Sequence, residues 1–429
     1  MKLLCPRRSG FALAVLFSAS AAHADPGQHF VVGSTTISPG VAAGVEYSTN
    51  PYHAVATVPG SDAVDLTVAP KLDLKLQRDD LQLTLGGDYT LKKYFGADVP
   101  LDQYNAFDAR AGLDALTKSV VGLHLSEDAG LQNSPLDLAT SAYPFTTETS
   151  SISDGALAVR PGYSLQILAG GEFGINDYAT ADLSSLHGWS HYNTRDSYGP
   201  TGNVEWRFLP RTAVVLDFSY LHSHYLTQSV AISALSTTPT TFPDANTMKI
   251  DGGLRGRVTN RLVVTLMAGY GSDVFVDTTG DAAASIDLGR SSTGGTPTVG
   301  EALQHLLFDG SLRYNLTPTT ALTLGVAKNF RDSYFTNYVS FLKGYGSLDA
   351  KFGDHIGVLG EFDASAEQFR GDETRDDVVL SATGDLDYYI RQWVWLDLGG
   401  TWAQRASDQS HTNVQFDEFT GHLKVVLQY

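Results

Sequence analysis

The last eleven residues alternate strictly between two kinds of side chain. Apolar, aromatic or glycine residues occupy every second position from Phe419 to Tyr429, and the positions from Thr420 to Gln428 between them are mostly polar. A two-residue period places the two sets on opposite faces of a β-strand. A strand at the edge of a sheet leaves unpaired backbone groups unless it pairs with the first strand. Closure into a barrel within a membrane would satisfy both the free edge and the exposed apolar face.

The same alternation recurs from residue 38 to the end of the sequence. Leu81, Leu83 and Leu85, for example, alternate with polar Gln82 and Thr84. Each such segment has roughly the ten residues that a tilted membrane strand needs. The pattern predicts an all-β fold, a transmembrane antiparallel up-and-down β-barrel of about eighteen strands. Strands after residue 130 and at 184–208 are the least distinct, so sixteen strands is the alternative count.

The connections between these segments alternate between tight and long. Pro, Gly, Asn or Asp occurs in most of the tight turns. They fall at 77–80, 116–118, 160–162, 209–211, 259–261, 316–319, 353–355 and 390–392. Long connections lie near 48–62, 127–150, 178–197, 222–246, 272–302 and 403–416. Short turns at one rim and long loops at the other are typical of outer-membrane barrels, whereas the Greek-key connections of a soluble sandwich would break this alternation.

The N-terminus has the three parts of a secretory signal. Lys2 and the Arg7-Arg8 pair precede the apolar run Phe11–Ala22, and Ala22-His23-Ala24 is a small-x-small cleavage site. The run is too short to span a bilayer. The sequence therefore predicts a signal peptide over 1–24, a short periplasmic segment over 25–37 and an outer-membrane barrel over 38–429.

Composition and motifs argue against several classes of function. The formal net charge of −18 makes nucleic acid an unfavourable partner. The single cysteine, Cys5, lies in the signal peptide, so thiol chemistry is not expected in the mature chain. Gly252-Gly253-x-x-Gly256 lies within a strand pattern, where glycine allows close backbone approach, and is not a dinucleotide loop. His222-x-His224 lies where a strand meets a long loop, and solvated histidines are the simpler interpretation. We predict no catalytic residue, cofactor or metal, and no enzyme.

The polar face of each strand is charged, which is tolerable only if that face is wet. A barrel of this size encloses an aqueous channel. The candidate lumen-lining residues are Asp251, Arg255, Arg257, Asp309, Arg313, Glu361, Asp363, Asp385, Asp387 and Asp397. They are either solvated wall charges and cross-strand pairs or a selectivity ring, for which Arg255/Arg257 and Asp385/Asp387 are the best basic and acidic candidates.

Three aromatic residues are candidates for stacking on sugar rings. They are Trp189, Tyr192 and Trp395, the first two in or beside a long loop and the third at a polar-face position. The alternative is that these rings are structural or belong to the aromatic belts at the membrane interfaces.

The segment from Gly44 to Tyr52, after Ile37-Ser38-Pro39, resembles the opening strand of a bacterial family called putative β-barrel porin 2. The turn from Leu316 to Thr320 and the C-terminal Tyr429 are similar to that family as well. The resemblance implies a barrel in the outer membrane of a Gram-negative bacterium, often linked to exopolysaccharide secretion.

We therefore expect an outer-membrane porin with a hydrophilic, charged channel that exports a secreted exopolysaccharide. A general diffusion or nutrient-uptake porin is the alternative, and a barrel enzyme or a scaffold or adhesin is a weaker one. The expected partners are outer-membrane lipids and lipopolysaccharide, the barrel assembly machinery and periplasmic polysaccharide-export proteins, with no nucleic acid.

Overall fold

A computed structural model shows an antiparallel β structure. It describes residues 30–50, 62–95, 103–133, 146–180, 192–225, 244–276, 302–332, 338–370, 375–408 and 415–429. The strands are β1 (Phe30–Val32), β2 (Thr35–Ser48), β3 (Ala63–Gln77), β4 (Leu81–Phe95), β5 (Gln103–Ala115), β6 (Val121–Asn133), β7 (Thr146–Val159), β8 (Leu165–Thr180), β9 (Tyr192–Leu209), β10 (Thr212–Tyr225), β11 (Asp244–Arg257), β12 (Leu262–Val276), β13 (Ala302–Thr317), β14 (Thr320–Asp332), β15 (Tyr338–Phe352), β16 (Ile356–Arg370), β17 (Arg375–Arg391), β18 (Val394–Ser407) and β19 (Phe416–Gln428). Within these residues no helix is long and apolar enough to cross a bilayer.

The last long strand closes the sheet onto the first. Each strand from β2 to β19 pairs antiparallel with the next, and β19 pairs with β2 from Thr420 opposite Ser48 to Gln428 opposite Gly40. The backbone N–H of Tyr429 then donates to the carbonyl oxygen of Pro39 at 2.9 Å. The predicted closed barrel is confirmed, with the eighteen strands β2–β19 and not sixteen.

A short strand extends the closure at the turn rim. β1 pairs with Thr35–Ile37, at the same edge of β2 as β19 but before the residues that β19 pairs with. The ring of Phe30 lies 4.3 Å, centroid to centroid, from that of Tyr429. Strand β2 thus begins at Thr35, inside the segment 25–37 predicted to be periplasmic. The predicted signal peptide lies outside the described residues.

The outer surface of the barrel is apolar. Leu423 is 48% exposed, and Val425 and Leu427 on the same face of β19 are exposed as well. Leu85 is also exposed, as the alternation in β4 requires. Charged side chains, by contrast, are among the most buried. This inversion of the usual soluble-protein distribution is what a lipid-facing wall around a polar interior produces.

The two rims differ as the sequence predicted. All eight predicted tight turns join consecutive strands, from β3–β4 to β17–β18, and lie at the same rim. Gly353 in the β15–β16 turn has a φ of +60°, a left-handed conformation that glycine adopts without strain. Every strand from β2 onward has 13 or more residues, more than the roughly 9–11 needed to cross a bilayer.

Candidate functional site

The inner face of the barrel has two chemically different regions. The seam wall is the inner face of β16–β19 and β2–β5, on both sides of the closure between β19 and β2. The far wall is the inner face of β9–β13. Buried charges of both signs contact one another on the seam wall, which has one small apolar cluster, Ala403 and Phe416, whereas two clusters of buried apolar side chains lie on or against the far wall.

All ten predicted lumen residues lie on described strands, opposite the exposed apolar residues of those strands. The seam wall carries Glu361, Asp363, Asp385, Asp387 and Asp397, and the far wall carries Asp251, Arg255, Arg257, Asp309 and Arg313. Pairing places Asp387 directly opposite Asp397. Arg257 and Arg313 both lie opposite Val263, one on each side of it. Arg257 and Arg313 thus lie at the same level of the barrel, two strands apart.

A buried lysine–glutamate cluster lies at the centre of the seam wall. Lys92, only 5% exposed, donates from Nζ to Glu46 Oε1, and Lys424 Nζ lies 3.9 Å from Glu46 Oε2. Asp65 lies opposite Glu46 and accepts a hydrogen bond from Thr67 Oγ1 at 2.7 Å. Such buried charges are stable only while they remain paired. Glu46 was missing from the predicted set, although its position between the outward Val45 and Tyr47 would have revealed it.

A second ion cluster lies near the loop rim of the seam wall. Arg405 Nη2 lies 3.0 Å from Glu367 Oε2, and Arg405 Nε lies 3.6 Å from Asp377 Oδ2. Arg375 Nη2 is 3.0 Å from the same Asp377 oxygen, and its guanidinium lies 3.9 Å from the centroid of the Phe369 ring. The sequence analysis missed this cluster, because only the register of β16–β18 brings these residues together.

The far wall corrects the expectation that inner positions are polar. Ala213, Val215 and Met267 form a buried cluster on β10 and β12. Gly253 on β11 lies between these strands, and a Cβ there would be 1.9 Å from the carbonyl oxygen of Leu266. The close backbone approach predicted for this glycine is therefore present. Adjacent inner side chains can pack on one another, so an inner position need not be polar.

The loop end of β14 folds across the far wall. The alternation in β14 places Phe330 with the outward Leu324 and Val326, yet Phe330 is 1% exposed and packs on Leu307. A Cβ on Gly271 of β12 would be 2.2 Å from the Phe330 ring. Strands β13 and β14 pair only as far as Phe308 and Lys328, so the end of β14 is free to turn inward. This bend places Phe330 inside the barrel near its loop rim.

Lys249 of β11 fixes this bend from the opposite side. Its Nζ donates to the carbonyl oxygen of Phe330 at 3.1 Å and lies 4.6 Å from the centroid of the Phe330 ring. This contact joins strands that are three positions apart in the barrel, which is possible only across the interior.

The three predicted sugar-stacking aromatics have different outcomes. Trp395 is 4% exposed, and its ring centroid lies 5.7 Å from that of Tyr389. Tyr192 begins β9 opposite Tyr178, and Trp189 lies outside the described residues. Sugar stacking stays a prediction, and at Trp395 the ring is largely covered by neighbouring residues.

The comparison with protein families bears on the last third of the chain. The model of the family described as putative beta-barrel porin 2 matches residues 298–429, which contain β13–β19. This match confirms the predicted family resemblance. It includes the turn from Leu316 to Thr320 and the final Tyr429, but not the segment from Gly44 to Tyr52. Together with the closed barrel and its apolar exterior, it places the chain in the outer membrane of a Gram-negative bacterium, with a porin-like fold.

Several solved structures are similar to this chain at low identity. The FrpB iron transporter from Neisseria meningitidis is 9% identical, with a TM-score of 0.46, covering 91% of this chain and 81% of that one. OpdK from Pseudomonas aeruginosa, solved with vanillate, is 11% identical, with a TM-score of 0.47 and coverage of 92% and 99%. OccAB2 from Acinetobacter baumannii is 10% identical, with a TM-score of 0.44 and coverage of 93% and 98%. No curated protein matches the sequence.

Proposed function

We propose that the barrel conducts hydrophilic solutes through its charged interior. The observation that carries this proposal is the row of ionisable side chains on the face opposite the lipid-facing residues, exemplified by Lys92 and Glu46. Charges of both signs in a barrel interior favour water and polar solutes over apolar ones. The proposed role is transport, with no reaction and no cofactor.

The proposed cargo is an exported exopolysaccharide. The support for this cargo is the family resemblance, which implies a link to polysaccharide secretion. Periplasmic export proteins would then meet the barrel at the turn rim, where the tight connections and β1 lie. Outer-membrane lipids and lipopolysaccharide would surround the apolar exterior, and the barrel assembly machinery would insert the chain.

The inward bend of β14 favours a second candidate, uptake of small hydrophilic solutes. Phe330 and Lys249 meet inside the barrel near its loop rim, and a channel constricted there would suit a small solute better than a polymer. The two candidates share the channel and differ in cargo and direction.

Conductance in planar bilayers tests the shared channel. We expect purified full-length protein to produce ion current in discrete steps, and the Phe330→Ala variant, with its bend released, to produce larger steps. Absence of current in both proteins would contradict the proposal, because the variant controls for closure by β14.

Deletion of the gene then separates the cargoes. Loss of surface polysaccharide with intact cytoplasmic synthesis would support export. Unchanged surface polysaccharide with slower growth on one small solute would contradict export and support uptake. Re-expression of the wild-type chain should restore either phenotype.

A further inference from the structure

Three metal-ligating side chains meet on the seam wall, where β17, β18 and β19 run side by side. Asp385, Asp397 and His422 each place a ligand atom within 4.8 Å of the others. His422 Nε2 lies 3.2 Å from Asp397 Oδ2 and 3.7 Å from Asp385 Oδ1. We propose that this aspartate–histidine cluster binds a divalent transition-metal ion, with Zn²⁺ the best match.

A glycine makes the convergence possible. Gly399 of β18 lies directly between Asp385 of β17 and His422 of β19 in the sheet register. A Cβ at this position would be 2.0 Å from Asp385 Oδ1 and 2.9 Å from His422 Nε2. Because Gly399 has no side chain, the carboxylate and the imidazole can approach each other over its backbone.

Asp397 supplies a second and independent observation. The residue is 2% exposed, and within the described part of the chain its Oδ1 has no hydrogen-bond partner. A buried carboxylate oxygen without a donor is costly. A cation at the cluster would satisfy this oxygen, and Asp397 Oδ2 already faces His422.

The surrounding charges leave room for a cation. Lys424 lies opposite Asp397, but its Nζ lies 3.9 Å from Glu46 Oε2, where Lys92 also binds the same carboxylate. Asp387 lies opposite Asp397 on the other side and adds another carboxylate. The two lysines do not neutralise all of these acidic groups. A divalent ion would offset the negative charge that remains.

The ligand types select the metal. One imidazole nitrogen and two carboxylate oxygens suit Zn²⁺ and similar ions, whereas Mg²⁺ and Ca²⁺ prefer an all-oxygen set. The competing explanation is a protonated His422 that bridges two aspartates without any metal. The two explanations predict opposite results on addition of Zn²⁺.

Calorimetric titration with ZnCl₂ distinguishes them. Untagged full-length protein in detergent, first treated with a chelator, should bind one Zn²⁺ per chain and should bind Mg²⁺ far more weakly. Asp397→Asn and His422→Gln should each weaken Zn²⁺ binding about tenfold or more. Even changes to groups that only hydrogen-bond to a metal's ligands weaken binding by that much, and these two residues are proposed as ligands themselves. No zinc binding by the wild-type protein, or equal binding by His422→Gln, would overturn the proposal.

Two further variants separate ligation from general disruption. His124→Gln is the matched control, because His124 Nδ1 lies 2.7 Å from a single carboxylate, Asp114 Oδ1, and its loss should leave zinc affinity unchanged. Gly399→Ala keeps all three ligands but fills the gap between them, so it should weaken binding as well. Migration of unheated samples on a denaturing gel verifies that each variant is a folded barrel.

The visible absorption of bound Co²⁺ tests directly whether His422 is a ligand. Co²⁺ in place of Zn²⁺ should give visible absorption bands in the wild-type protein and lose them in His422→Gln. Bands that persist in that variant would place the metal elsewhere and overturn the assignment. Both measurements are independent of transport, so the metal site and the proposed channel can fail separately.

Discussion

The seam wall and the far wall bury their inward side chains in different ways. Both face the interior, and in both the inner positions alternate with lipid-facing ones. On the seam wall, buried Lys92 and Arg405 are paired with carboxylates. On the far wall, Val215, Met267 and Leu307 are buried against other apolar groups.

The difference shows that alternation assigns a side chain to a face but not to an environment. An inner side chain can be neutralised by a charge on the adjacent strand, or it can pack with apolar neighbours. The seam wall depends on pairing, so loss of one partner leaves a buried charge. The far wall depends on contact, so loss of a side chain leaves a cavity.

The largest expected effect is at the seam wall. Lys92→Met should lower the free energy of unfolding by about 3–5 kcal/mol, because Glu46 and Asp65 would remain buried without the ammonium group. Denaturant titration in detergent, followed by tryptophan fluorescence, measures this change in the free energy of unfolding. Lys343→Met is the control, because Lys343 pairs with Asp363 at 3.0 Å and its side chain is 24% exposed; we expect a loss of about 1 kcal/mol or less. Equal losses of unfolding free energy in the two variants would contradict the expected difference between a buried ion pair and a partly exposed one.

At the far wall, Phe330→Ala should lower the free energy of unfolding by about 3 kcal/mol, because it removes a buried aromatic side chain. Single-channel conductance should rise, since the end of β14 would no longer be held against Leu307 and Lys249. Phe362→Ala, on the exposed outer face of β16, is the control and should leave conductance unchanged. A conductance equal to wild type would show that the bend does not limit the channel.

Substitutions on the lipid-facing surface should have the same effect behind both walls. Leu266→Arg behind the far wall and Leu423→Arg behind the seam wall should each reduce the free energy of unfolding by about 2 kcal/mol, because both side chains face lipid. Leu266→Met and Leu423→Met serve as controls with little expected change. A penalty at one site alone would mean that the outward assignment of the other strand is wrong.

The smallest expected effect concerns ion selectivity. Arg257→Gln combined with Arg313→Gln should raise the cation-to-anion permeability ratio about twofold, because it removes two positive charges from one region of the far wall. Reversal potentials in a KCl gradient measure the ratio. Lys118→Gln, in an exposed turn pair with Asp79, should leave it unchanged. An unchanged ratio in the double variant would place these arginines outside the ion path.

Local sequence was sufficient for the barrel wall. The two-residue period assigned the outward face of strands such as β4 and β19, and Pro, Gly, Asn or Asp occurs in six of the eight tight turns, all but 116–118 and 390–392. These features depend on residues close together in the chain. The least distinct strands, β7 and β9, contain polar residues and glycine on both faces, and β9 also contains Pro200. Pairing with their neighbours defines them.

Only the tertiary structure decided what the interior contains. Glu46 meets His422 because the barrel closes in one register. Asp385 meets His422 over Gly399 because β17, β18 and β19 pair in one register. Phe330 turns inward where β14 no longer pairs with β13 and pairs with β15 alone. A period of two residues determines which side of a strand faces lipid, since sterics act locally. Which inner charges pair, and where a metal ion fits, depends on contacts between residues on different strands, and those contacts form only when the strands pair in register and the cylinder closes.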